Sequence, residues 1–160
     1  MSGDHISEHL GAVSPGEVLP HSLSLNVVYA SPEATAAVLS AAASLAEDME
    51  PTIHVRAMIP VARQHPIDYA FGAVQAVTRI LIELLQRVGN GRCRFVLHVY
   101  ICRNRMDTLL TALRPCSLLV IGGRKRLWPT LERRIARIVR TAGHSVAFVD
   151  DRATGGIRLT

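Results

Sequence analysis

Cysteine is scarce in this chain. Cys93, Cys102 and Cys116 are odd in number and widely spaced, so they form neither a disulfide framework nor a zinc-ligand pattern. The expectation is free thiols, buried or partly buried, in a reducing compartment. Long apolar runs are missing as well. Charge interrupts each of them well short of the ~20 residues that a membrane-spanning helix needs. Asp4, His5, Glu8 and His9 stand at the N-terminus where a secretory signal would carry a basic start and an apolar stretch, so no such signal is expected. These absences predict a cytoplasmic protein with no membrane partner. Lysine occurs once, at position 125, among eighteen basic residues. A bias of that kind follows genomic base composition and says little about function.

What is present is a globular composition, with 49% hydrophobic residues in 160, enough for one domain with a real core. The positive charge is concentrated. Residues 121–140 hold Arg124, Lys125, Arg126, Arg133, Arg134, Arg137 and Arg140 against Glu132 alone. The other eleven basic and twelve acidic residues nearly cancel. One local patch therefore needs explaining, not a general affinity for polyanions.

Along the chain, strand and helix signals alternate. Residues 1–21 have no periodicity and read as a flexible leader. Residues 23–30 are apolar and β-branched, a first strand. Ser31-Pro32-Glu33 then supplies an N-cap, a proline at the first helical position and an acid in the first turn. An Ala-rich helix over 34–46 follows, stopped by Pro51. In 53–61, Ile53, Val55, Ala57 and Ile59 alternate with His54, Arg56 and Met58, as in a strand.

A long helix from about Pro66 presents Ala70, Phe71, Val74, Val77, Leu81, Leu84, Leu85 and Val88 as one stripe, and Gly89-Asn90-Gly91 stops it. Residues 95–102 make a third strand, and Asn104 caps a short helix that Arg114-Pro115 closes. A fourth strand at 118–121 ends at Gly122-Gly123. A helix over 129–142 puts Leu131, Ile135, Ile138 and Ala142 on one side, with Gly143 beyond its end, and 145–149 is the fifth strand. Residues 152–160 read as a loose or extended tail. Strict alternation predicts an α/β domain over 22–151, a doubly wound parallel sheet with helices on both faces.

Leu118 to Ile121 is wholly apolar, as in a strand buried on both faces, and then come a Gly pair, three basic residues and a helix start. Basic side chains at a helix N-terminus oppose its dipole unless an anion lies between them. Gly122, Gly123, Arg124, Lys125, Arg126 and Thr130 are therefore the candidate site for a small anionic ligand.

This order of elements resembles the universal stress protein family, over about 23–150. The likeness rests on the strand followed by Ser31-Pro32-Glu33, the long second helix, the short third helix before Leu118-Leu119-Val120-Ile121-Gly122-Gly123-Arg124, and the closing helix and strand. The resemblance implies a five-stranded sheet of order 3-2-1-4-5, of the adenine nucleotide alpha hydrolase-like kind. Its crevice would open above the first and fourth strands, beside Tyr29, Ala30 and Ser31. ATP-binding members carry Gly-x-x-Gly, nine residues, then Gly-Ser or Gly-Thr. Here Gly122 matches the first glycine, Lys125 stands at the second, and Ile135-Ala136 at the final pair. The first strand ends Val28-Tyr29-Ala30, without the family's acid. The expectation is a divergent member with no cofactor, which does not hold ATP in the usual manner. The family commonly dimerises through its last strand, so Ser145, Val146, Ala147, Phe148 and Val149 are the expected homodimer edge.

Other patterns have plainer readings. His5-Ile6-Ser7-Glu8-His9 spells an inverted zinc-protease motif, but in a leader without apolar support it is a chance match. His54, His65, His98 and His144 are scattered. His54 and His98 lie on strands and can pair across the sheet or face a helix. Ser31 is a helix cap and lacks the Gly-x-Ser-x-Gly elbow of a nucleophile. Arg133, Arg137 and Arg140 share a helix face. Trp128 is the only aromatic nearby, so there is no stacking platform and nucleic acid is not the expected partner. No pair of carboxylates is placed for catalysis, and Glu33 is the one acid set above the sheet. The sequence thus predicts a non-enzymatic, stress-related regulator acting through dimerisation and a protein partner. The alternative readings are a nucleotide- or phosphate-binding module using the basic loop, and a binder of nucleic acid or an acidic partner through the Arg face.

Overall fold

The computed structural model describes residues 24–45, 50–89, 93–123, 131–150 and 157–159. Five parallel strands, β1 (Ser24–Val28), β2 (Thr52–Pro60), β3 (Arg94–Cys102), β4 (Leu118–Gly123) and β5 (Ser145–Asp150), lie in the order β3-β2-β1-β4-β5. A sixth strand, β6 (Ile157–Leu159), adds to the outer edge of β5 and runs antiparallel. The segment read as a loose or extended tail holds a strand, and the sheet is not wholly parallel. Four helices connect the parallel strands: α1 (Pro32–Leu45), α2 (Phe71–Val88), α3 (Arg105–Ala112) and α4 (Leu131–Thr141).

The strand period of two sorts the core into two layers. Leu25, Val27, Ile53, Val55, Ala57, Val120, Ala147 and Val149 face α1 and α2. There they meet Val38, Leu39 and Ala42 of α1 and Leu81 and Leu84 of α2. On the other face Leu119, Ile121 and Val146 meet Leu109 and Leu113, at and just beyond α3, and Ala136 and Val139 of α4. Both faces of β4 are covered, whereas the α3–α4 face of β2 and β3 is only partly covered.

Local chemistry sets the helix ends. Ser31 Oγ accepts the Ala34 N–H at 3.3 Å, so Ser31 caps α1. Asn104 Oδ1 accepts from the Met106 N–H at 3.0 Å and caps α3. Gly143, at φ 87°, closes α4: its N–H reaches Arg140 O, and the next N–H, of His144, reaches Val139 O. That is the paired bonding of a Schellman ending. Arg103 Nη1 donates to the carbonyls of Val61, Ala62 and His65, gathering the loop that leaves β2.

Three sequence expectations shift. Phe71, assigned to the buried stripe of the long helix, is 52% exposed, because a 3-10 turn (Ile67–Ala70) precedes α2 and rotates its start. In α4, Ala136 and Val139 are buried and Ala142 is exposed, so the stripe is turned about one position from the expected one. Cys116 is exposed, in a turn where its φ is 57°.

Candidate functional site

The strand order reverses between β1 and β4, and the chain leaves both strands at the same end of the sheet. Tyr29, Ala30 and Ser31 follow β1 there, and Gly122 stands at the end of β4. The Tyr29 N–H bonds Arg56 O, and burial and then the Glu33 carboxylate push its phenol above the usual range. Both hydroxyls at the start of α1 are engaged with backbone: Ser31 caps the helix, and Thr35 Oγ1 accepts the Ala30 N–H at 3.4 Å. Gly122 is buried under α1. A Cβ at that position would stand 2.4 Å from Val38 Cγ2 and 2.9 Å from Ala34 O. Its missing side chain thus serves helix–sheet packing. Arg124, Lys125, Arg126 and Thr130 of the expected anion loop lie outside the described residues, as do the leader and Trp128. Gly123 is the last residue of β4.

At the far edge, Ala147, Phe148 and Val149 of the expected dimer edge are in register with Leu159, Arg158 and Ile157 of β6. Ser145 and Val146 extend beyond that pairing. On α4, Arg133 and Arg137 are exposed, and the Arg140 guanidinium lies 5.7 Å from the Phe148 ring centroid. The α4 basic face is thus partly engaged with the sheet.

A second polar cluster occupies the α3–α4 face, toward the N-terminal halves of β1 and β2 and the middle of β3. It comes from the alternation that points Asn26, His54, Arg56, His98 and Tyr100 to one side. Arg56 is 6% exposed. Its Nε donates to Asn26 Oδ1 at 2.9 Å and its Nη1 to the Tyr100 hydroxyl at 2.8 Å. His54 Nδ1 and His98 Nε2 are 3.0 Å apart, and the rings stack with centroids 5.2 Å apart. These groups, with Ser24, Arg114 and Ser117, line a cleft of about 260 Å³.

The electrostatics of this cleft are one-sided. Among the described residues no carboxylate lines it, and the partners of Arg56 are an amide and a phenol. Burial, followed by the charges of Arg56 and Arg114, pushes the His54 imidazole below its usual range. Burial also depresses the Arg56 guanidinium. Tyr100 opposes that through its charge and its hydrogen bond, and Arg114 adds to it. Elsewhere, burial raises the thiols of Cys93 and Cys102, which keeps them as poor nucleophiles.

Pairing of His54 with His98 was one of two arrangements the strands allowed. Asn26, Arg56 and Tyr100 were not singled out from the sequence. The available signal was positional. An arginine on a strand flanked on both sides, as β2 is by β1 and β3, has neighbouring side chains on both strands to hydrogen-bond.

No family model matches the chain, and no curated protein matches it in sequence. Among solved structures, the universal stress protein from Archaeoglobus fulgidus is similar in fold, with a TM-score of 0.55 at 16% identity, over 79% of this chain and 92% of that one. Fold class and strand order therefore agree with the resemblance read from the sequence. The likeness is one of architecture. Among the described residues no helix is long and apolar enough to cross a membrane, and no group of His, Cys, Asp and Glu is placed to hold a metal ion.

Proposed function

We propose that this chain is a cytoplasmic, stress-related regulatory protein that works by binding and does not hydrolyse ATP. The observation that carries the reading is the setting of positions 135 and 136. ATP-binding universal stress proteins place a glycine and a hydroxyl there. Here Ala136 is buried in the α4 layer of the core, and Ile135 packs half-buried against the same cluster. The chain therefore has core side chains where a phosphate cradle needs bare backbone. The role of Gly122 in seating α1 points the same way.

Calorimetry with ATP and AMP on nucleotide-stripped protein tests this. No micromolar binding is expected. Micromolar ATP binding would mean that the basic loop replaces the missing glycines, and the reading would fall.

The regulator also acts as a homodimer in this proposal. Because β6 occupies the β5 edge, the pairing of two copies at that end would run through the outer edge of β6, where backbone groups face outward. Light scattering after size exclusion would give the mass directly, and a monomer at high micromolar concentration would exclude it.

A further inference from the structure

We propose that Arg56, Arg114 and the His54–His98 pair form a binding site for a small oxyanion, a phosphoryl or carboxylate group. It lies on the face of the sheet that carries α3, away from the crevice. The Arg56 guanidinium is nine-tenths buried and carries a desolvation penalty that a counter-charge offsets. Asn26 and Tyr100 each bond the cation but do not neutralise it.

The fork of the side chain is only partly used. Nε and Nη1 are engaged, whereas Nη2 has no partner among the described residues. No buried polar atom of the described side chains lacks a partner, so Nη2 is open to the cleft. An unused guanidinium nitrogen at a cleft is the donor that oxyanions take up.

The surroundings add to this. Arg114 stands at the mouth, exposed and close enough for its charge to disfavour protonation of His54 and Arg56. Two cations share this cleft with no carboxylate among its described lining residues, and they repel each other until an anion enters. Among the other lining groups, the Ser24 hydroxyl, the Tyr100 hydroxyl (which accepts from Arg56 and keeps its own proton) and the His54 ring can hydrogen-bond it. A volume of about 260 Å³ admits a phosphate or a small carboxylate, or the anionic end of a larger metabolite.

The site is independent of the crevice reading, and its test uses different probes. The full chain, in low-chloride buffer, is titrated with inorganic phosphate, sulfate, acetate and succinate, following the ring signals of His54 and His98 by NMR. Saturable shifts are expected, stronger for phosphate and sulfate if the natural group is phosphoryl and for succinate if it is carboxylate. Arg114→Gln, at an exposed position, should weaken the binding at least fivefold, and Arg56→Gln should abolish it. Arg124→Ala with Lys125→Ala should leave it unchanged.

If Arg56→Gln fails to fold, Arg114→Gln with His54→Asn decides the same question. Absence of saturation with all four anions would overturn the proposal and leave Arg56 a strut between strands. Binding lost only on removing Arg124 and Lys125 would also overturn it and assign the anion to the basic loop. Either result leaves the ATP titration to be judged on its own.

Discussion

His54 Nδ1 stands 3.0 Å from His98 Nε2, so one of the two rings must present a bare nitrogen to the other. A proton added to both would break that bond beside Arg56, Arg114 and the uncharged Asn26, Tyr100, Ser24 and Ser117. Burial and the two arginines already hold the His54 pKa below the ordinary 6.5. The unfolded chain therefore takes up this proton at a higher pH than the folded one. The stability tied to His54 is full above 6.5 and is lost as pH falls toward the folded pKa, by at most about 1.4 kcal/mol per pH unit. Urea unfolding between pH 5 and 8 should show that slope, and His54→Gln should flatten it. An equal slope in the variant would assign the acid sensitivity to other groups.

Arg114 contributes to that depression from an exposed position, so its effect is screened. Arg114→Gln should raise the His54 pKa, measured by NMR titration of the ring. The acid limb of the stability profile should then be shorter and the total loss smaller, its start near 6.5 unchanged and its lower end moved up. A downward shift would contradict the direction of the field in the cleft.

Gly122→Ala puts a methyl group against Val38 and the Ala34 carbonyl. Helix α1 must move off β4, and the expected loss is about 1–3 kcal/mol by chemical denaturation. Val38→Ala removes the side-chain clash but not the backbone one, so the double variant should recover only part of the loss. Full recovery would show that the carbonyl contact yields easily.

Cys116 holds a left-handed backbone with φ 57°, a conformation that costs a residue with a Cβ about 1–2 kcal/mol. Cys116→Gly removes that strain and adds freedom to the unfolded chain. A net stabilisation of about 0.5–1 kcal/mol is expected. It should appear as a higher unfolding midpoint with an unchanged denaturant slope. A lower midpoint would mean that the thiol makes contacts worth more than the strain.

Removing the residues from 152 onward takes β6 away and bares the backbone of Ala147, Phe148 and Val149. The shortened chain should self-associate more strongly than the full one, with a sedimentation profile that depends on concentration. Unchanged association would show that β6 does not shield this edge.

The order of elements was legible because each one carries its own marker. Ser31 and Asn104 announce helix starts, Gly143 announces an end, and the run Leu118 to Ile121 is apolar on both faces. The cleft was less legible. His54 and Arg56 alternate with Ile53, Val55 and Ala57, the same pattern a strand with one wet face would show. Only the strand order, which sets β2 between β1 and β3, reveals that this face is partly covered. Strand β6 escaped for another reason: three residues after Gly155-Gly156 carry too little period to read, and they become a strand only because β5 offers an edge.

Arg103 sends one nitrogen to the carbonyl oxygens of Val61, Ala62 and His65. A loop that turns three carbonyls toward one point resembles the cage that other proteins fill with a sodium or potassium ion. This chain fills it with its own side chain, so the shape of the loop is independent of which alkali salt surrounds it.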